Sequence, residues 1–230
     1  MNNIKKYKIV FLDIDDTILD FKKCELNAIT KTIERYGVTA TKELTDKYSE
    51  INQSLWKAFE RKEISKPELL RKRFDMFFKE LDVVVDADEV NYNYLTYLSE
   101  ETFLIDNAIT LLDSIYGKCK IYVITNAVER VQRSRLSKSG LLKYFDEVFI
   151  SELIGYQKPD VRFFEEVYKQ IGFPNKDEII ILGDSLSSDI KGGVNFGVDT
   201  CYFNPHHKES EIKNYTYEID NLSNFIKYIN

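Results

Sequence analysis

Four short apolar runs recur along the chain, at residues 9–12, 121–124, 148–150 and 179–182, with a weaker fifth at 200–203. Each is β-rich and too short for a helix. Several carry apolar residues on both faces, the pattern of parallel strands buried between helices. Amphipathic segments of helical length separate the later runs. One spans 128–139 and ends near Gly140, one spans 160–171 between Pro159 and Gly172, and one spans 187–196 before Gly197. Proline near a first turn and glycine just past a last turn are ordinary helix punctuation. Strand and helix alternating in this rhythm predict a doubly wound α/β domain with a parallel sheet.

Residues 21–100 break the rhythm. They hold no convincing strand and several helical patterns. Ser65-Lys-Pro-Glu68 is a capping box with proline inside the first turn, and Asp86-Ala-Asp-Glu89 has the same logic. Leu44, Tyr48, Ile51, Leu55 and Phe59 step by three or four and mark a buried stripe. The expected organisation is therefore a core of residues 1–20 and 101–230 carrying an all-helical insertion at 21–100. The chain shows no repeats or low-complexity tracts.

Composition narrows the classes. With 43% hydrophobic and 13% aromatic residues in 230, the chain can bury a sizeable core and is not a disordered protein. Its formal charge of −6 lacks the positive field with which proteins hold nucleic-acid polymers or anionic membranes. Cys24, Cys119 and Cys201 are odd in number and widely spaced, without a CxxC pair, so neither a disulfide framework nor a zinc site is expected. No apolar run approaches a membrane span, and the first residues lack a cleavage pattern, so a cytoplasmic location is expected.

The chemistry-bearing residues fall where strands end. Phe11-Leu-Asp-Ile-Asp-Asp-Thr17 puts Asp13 and Asp15 just beyond the first strand. In an open α/β sheet that edge is where ligands bind. Two carboxyl groups there can divide labour, one attacking and one moving protons, or they can simply cap a loop. Thr125 and Asn126 end the second strand, as a phosphate cradle or as caps of the following helix. Lys158 lies in a loop after the third strand, a position open to a solvated charge as well as a ligand contact. Asp184 and Asp189 follow the fourth, as helix caps or as oxygen ligands for a hard cation such as Mg²⁺. Four successive strands each delivering a polar group to one edge are harder to attribute to capping than any one of them. Clustered carboxylates would need a cation and Lys158 to offset them, and a dianionic phosphate monoester could enter such a site.

DxDxT, a threonine after the second strand, Lys-Pro in a loop and GDxxxxD together resemble the four motifs of the haloacid dehalogenase superfamily, over essentially the whole chain. The resemblance implies a Rossmann-like core with a small helical cap. It also implies Asp13 as a nucleophile forming an aspartyl-phosphate, Asp15 as acid and base, and Thr125 and Asn126 holding phosphoryl oxygens. Lys158 would stabilise charge, and Asp184 would bind Mg²⁺ with Asp13 and the Asp15 backbone carbonyl. Asp189 would orient Lys158 or reach the metal through water. Asn52, Leu55, Trp56, Ile64, Leu69, Arg73 and Phe74, with Thr200–Asn204 and His206-His207, are similar to the noncanonical pyrimidine 5′-nucleotidases of that superfamily. Asn52 and Trp56, one turn apart at the edge of the buried stripe, offer an amide for a base edge and a ring for stacking. Ordinary packing is an equal reading for Trp56.

Two positions depart from the family pattern: Asp106-Asn107 replaces Pro-Gly, and Lys62 replaces a glycine between cap helices. Asparagine tolerates the left-handed backbone, so the first turn is expected to survive. His206-His207 lacks a third ligand and reads as an exposed loop. The expected partner is a small phosphate monoester, with a monomer or homodimer equally open. The alternatives are a phosphatase or mutase for phosphoglycolate or a sugar phosphate, and a signalling module phosphorylated on aspartate without turnover.

Overall fold

The computed structural model describes residues 4–210 and 213–229. Its sheet consists of β1 (Ile9–Leu12), β2 (Lys120–Thr125), β3 (Glu147–Ile150), β4 (Ile179–Gly183), β5 (Asp199–Phe203) and β6 (Tyr217–Ile219), all parallel, in the order β3-β2-β1-β4-β5-β6. Leu12 lies between Val123 of β2 and Leu182 of β4, so the central strand is hydrogen-bonded on both sides. Every residue of β1 and β4 is buried, as expected of strands covered on two faces. The order reverses between β1 and β4. The chain leaves β1 toward β2 and β3, then returns on the other side, and that switch point opens a crevice beyond the strand ends.

Helices α5 (Ala108–Ile115), α7 (Ser151–Ile154), α8 (Val161–Gln170) and α9 (Lys191–Phe196) complete this unit. Phe163, Phe164 and Val167 of α8 and Phe196 of α9 pack on Ile9, Phe11, Ile124, Phe149 and Ile181. These apolar residues alternate along the strands, placing one set toward α8 and α9. Asp160 caps α8 by accepting from Arg162 N–H. Asn107, ahead of α5, takes φ +65°, the left-handed turn expected of it. The three-residue β6 had no counterpart among the expected strands; it pairs with Cys201–Phe203 from a polar stretch too short to show a period.

The second unit comprises residues 21–103 and 130–138. It holds α1 (Phe21–Arg35), α2 (Lys42–Glu60), α3 (Lys66–Glu80), α4 (Ala87–Leu98) and most of α6 (Glu129–Lys138). The residues of α6 join it through Ser134 Oγ, which donates to Ser99 O at 2.9 Å, and Arg135 Nε, which donates to Glu101 O at 3.2 Å. Ser65 and Asp86 cap α3 and α4 by accepting from Glu68 N–H and from Asp88 and Glu89 N–H. Lys62 takes φ +62°, the conformation a glycine would adopt there. Tyr48, Phe74 and Tyr94 form an aromatic centre with centroids 5.4–5.5 Å apart.

A polar network crosses that centre. Asn52 Nδ2 donates to Glu25 Oε1 at 2.6 Å, and Asn52 Oδ1 accepts from Arg73 Nη1 at 3.2 Å. Arg73 Nη2 donates to Asn91 Oδ1 at 2.7 Å, and Ser49 Oγ donates to Glu25 Oε2 at 2.7 Å. Asn52, Arg73 and Glu25 are all buried. Asn52 therefore joins a buried anion to a buried cation, and it lies inside the helical unit's core rather than at the edge of the stripe. Asn52→Ala would strip one partner from each. The expected result is a loss of about 1–3 kcal/mol of stability, seen in denaturant melts.

Candidate active site

Beyond β1, Asp13 N–H still donates to Leu182 O at 2.9 Å, so the sheet itself fixes the Asp13 backbone beside β4. The next residues form a tight turn in which Ile18 N–H donates to Ile14 O at 2.8 Å and Asp16 takes φ +60°. That turn brings the Thr17 hydroxyl back to donate to Asp13 Oδ2 at 3.0 Å. Asp13 Oδ1 accepts from Lys158 Nζ at 2.7 Å. Lys158 is itself buried and donates twice more, to Asp189 Oδ1 at 2.6 Å and Ile124 O at 2.9 Å. An ammonium has three N–H donors, and three acceptors meet them.

Asp189 reaches this point through a π-turn at Leu186–Ile190. Such single wide turns often accompany functional sites. Asp189 Oδ2 accepts from Ser185 N–H at 3.1 Å, which folds its carboxylate back over the end of β4. A Cβ on Gly183 would overlap that carboxylate, so the glycine of the GD pair exists to let Asp189 approach the backbone.

Carboxylate oxygens of Asp13, Asp184 and Asp189 lie within 4.8 Å of one another. Three carboxylates against one ammonium leave about two negative charges in a poorly solvated place. Burial and the Asp189 charge push the Asp13 carboxyl up to about 7, against the pull of Lys158, with Asp15 adding to the rise. Burial, Asp13 and Asp189 likewise raise Asp184 well above the ordinary carboxylate range. Burial works against the Lys158 ammonium, yet Asp13 and Asp189 outweigh it and hold Lys158 above the usual lysine value. A donor set of carboxylate oxygens with surplus negative charge fits a hard divalent cation such as Mg²⁺. Both Asp189 oxygens are engaged, by Lys158 and by Ser185 N–H, and both Asp13 oxygens by Lys158 and the Thr17 hydroxyl, so a cation here would share carboxylates that already accept hydrogen bonds.

Thr125 is buried at the end of β2, and its Oγ1 accepts from Ala127 N–H at 3.1 Å. The Asn126 side chain reaches the loop that carries Lys158. Its Oδ1 accepts from Lys158 N–H and its Nδ2 donates to Lys158 O, both at 2.9 Å, so the carboxamide spans the backbone of the lysine. Asp15 sits half-buried in the turn after β1, close enough for its charge to raise Asp13. In the helical unit, Trp56 is half-buried, edge-on to Phe59 with centroids 5.7 Å apart and with Lys66 Nζ 5.9 Å from its ring. His206 and His207 are exposed, as expected for a loop.

Acids from the ends of two adjoining strands, a buried lysine and a glycine that admits Asp189 make up the site. The chain belongs to the haloacid dehalogenase-like hydrolases, whose family profile matches residues 9–203. Among its relatives, the pyrimidine 5′-nucleotidase PynA of Streptococcus pneumoniae is 39% identical over 93% of this chain and 91% of its own length. The pyrimidine 5′-nucleotidase YjjG of Escherichia coli is 32% identical over 89% of each chain. The crystal structure of the putative HAD-hydrolase YfnB of Bacillus subtilis, bound to magnesium, is similar with a TM-score of 0.91 at 36% identity, covering 96% of this chain and 97% of that one. No helix among the described residues is long and apolar enough to cross a membrane.

Proposed function

We propose that this hydrolase is a Mg²⁺-dependent phosphatase that removes the 5′-phosphate of pyrimidine nucleoside monophosphates through an aspartyl-phosphate on Asp13. The carrying observation is the buried cluster of Asp13, Lys158 and Asp189 with Asp184 beside it, two negative charges in excess at the sheet's switch point. The two nucleotidase relatives, similar over nearly their whole lengths, supply the substrate class.

Asp13 attacks phosphorus in line with the leaving ester oxygen, and Asp15 gives that oxygen a proton. Asp15 then takes a proton from the water that hydrolyses the acyl phosphate. Lys158, held protonated by two carboxylates, offsets charge on the phosphoryl oxygens, and the Thr125 hydroxyl donates to one of them. Asp13, Asp184 and the Asp15 backbone carbonyl would hold Mg²⁺, which neutralises the cluster and orients the phosphoryl group. Residues 21–100 are the substrate-selecting domain in this reading, with Trp56 as the stacking ring and Asn52 confined to its internal network.

Phosphate release with Mg²⁺ from UMP, dUMP and dTMP is expected to outpace release from AMP, phosphoglycolate and hexose phosphates. Faster turnover of phosphoglycolate or a hexose phosphate would replace the substrate class. Isomerised sugar phosphate without free phosphate would make the enzyme a mutase. Undiminished turnover with the cation chelated would remove the metal from the mechanism.

A further inference from the structure

The phosphatase reading assigns the lysine a charge-stabilising task but does not say what sets its position. Lys158 carries four methylenes between Cα and Nζ, a stem that loses considerable rotamer entropy when its tip is held. Its tip meets Asp13, Ile124 and Asp189 within 3 Å, at a place the bulk solvent does not reach. A tip fixed this tightly requires a root fixed as tightly. The loop from Gly155 to Asp160 that carries Lys158 is irregular backbone and supplies no strand ladder of its own there.

We infer that Asn126 is the positioning residue for Lys158: its side-chain amide stands in for a neighbouring strand and fixes the lysine backbone. The carboxamide accepts from the Lys158 N–H and donates to the Lys158 carbonyl, both at 2.9 Å, the two-bond exchange otherwise seen between residues of paired strands. Two residues earlier in the same strand end, the Ile124 carbonyl accepts from Nζ of the same lysine at 2.9 Å. The end of β2 therefore grips Lys158 at its root and at its tip, and the span between Ile124 and Asn126 sets where the ammonium stands relative to Thr125. Serine, threonine or alanine at position 126 could offer a backbone N–H but could not make both bonds, since only a carboxamide pairs a donor and an acceptor at this reach.

The inference rests on the phosphatase reading for what Lys158 does and on geometry alone for what holds it. It is tested by a double-mutant cycle between Asn126→Ala and Lys158→Met, with phosphate release and hydrogen exchange both measured on the full chain. Asn126→Ala is expected to lower kcat roughly 10- to 100-fold, the usual consequence of a misplaced catalytic group, with KM changed by less than about threefold. On the Lys158→Met background the same substitution is expected to cost less than about twofold, because its effect passes through the lysine. The Lys158 amide is expected to exchange faster in Asn126→Ala than in wild type. Asn126→Asp preserves size, keeps the acceptor for the Lys158 N–H and sets an oxygen against the Lys158 carbonyl. It should match the alanine variant in kcat, and since its added charge and opposed oxygens should also lower its melting temperature, the cycle on the Lys158→Met background is what separates positioning from general loosening.

Equal loss on both backgrounds, a raised KM with kcat unchanged, or unaltered exchange at the Lys158 amide would each overturn the inference. Failure of the wild-type protein to release phosphate would remove the phosphatase reading and the inference with it. An active wild type with an additive cycle would remove the inference alone.

Discussion

Asparagine in place of Asp13 is expected to cut Mg²⁺-dependent phosphate release by about 10⁴-fold or more, as loss of a nucleophile does, while the fold survives. The asparagine Oδ1 can still accept from Lys158, and its amide can still face the Thr17 hydroxyl, so neither neighbour is stranded. The same substitution has a signature in stability. Without a cation, burial and the Asp189 charge push the Asp13 carboxyl up to about 7, from 3.8 for an ordinary aspartate. Between those values the folded state holds a proton that the unfolded state has released, so stability falls as pH rises through that window and stays lower above 7. Asp13→Asn removes that contribution, and the stability profile from pH 4 to 7 should flatten toward what Asp184 alone imposes. A divalent cation competes with the proton for the same oxygens. Added Mg²⁺ should therefore raise the wild-type melting temperature more at pH 8 than at pH 5.5, and raise that of the variant less at both. Thermal melts with and without the cation, beside a phosphate assay, decide the matter. A variant that keeps a tenth of wild-type turnover would end the nucleophile assignment.

The site reads from the sequence to the extent that strand ends determine it. Asp13, Thr125 and Asp184 each follow a run whose apolar pattern alone marks a buried strand, and the parallel order brings those ends to one edge. Lys158 and Asp189 sit on loops, and the family resemblance rather than periodicity joins them to the cluster. What the pattern does not carry is side-chain direction. Asn52 lies about 100° from Ile51 on its helix, which puts it at the edge of the apolar stripe, but a helix packed among others buries more than one stripe. A signal for its true setting does exist. Glu25, Asn52 and Arg73 each stand three or four residues from apolar neighbours in their own helices, so each occupies a core position with a polar group. Three such residues on three helices predict one another as partners, since a buried charge is found paired. Asn126 had no comparable signal: its partner is backbone of a loop 32 residues away, and no property of Lys158 in the sequence reveals it. The grouping of residues 130–138 with the helical unit was likewise hidden, because it rests on Ser99 and Glu101 carbonyls that any residue would supply.

Lys158→Met tests the electrostatic balance from the other side. Methionine matches the length of the stem and removes the ammonium, leaving the Asp13 and Asp189 carboxylates facing each other without their counter-ion. Loss of the one cation that offsets developing charge is expected to lower kcat about 10²- to 10³-fold. Breaking a buried ion pair by deleting one partner costs about 3–5 kcal/mol, and here a single deletion breaks two pairs around one nitrogen. The metal-free variant should therefore melt well below wild type, and the gap should widen with pH as the two carboxyl groups are forced to ionise. Mg²⁺ can offset part of the surplus charge, so its stabilising effect should be larger in Lys158→Met than in wild type. Adding Asp189→Asn to Lys158→Met removes one of the stranded charges and should recover stability without recovering turnover, because the recovered fold still lacks a cation beside the phosphoryl group. Melting curves of the single and double variants across pH, with parallel phosphate assays, separate the two effects. If the metal-free Lys158→Met protein were as stable as wild type at pH 8, the carboxylates would not be repelling one another, and the argument for a divalent cation at this cluster would lose its electrostatic basis.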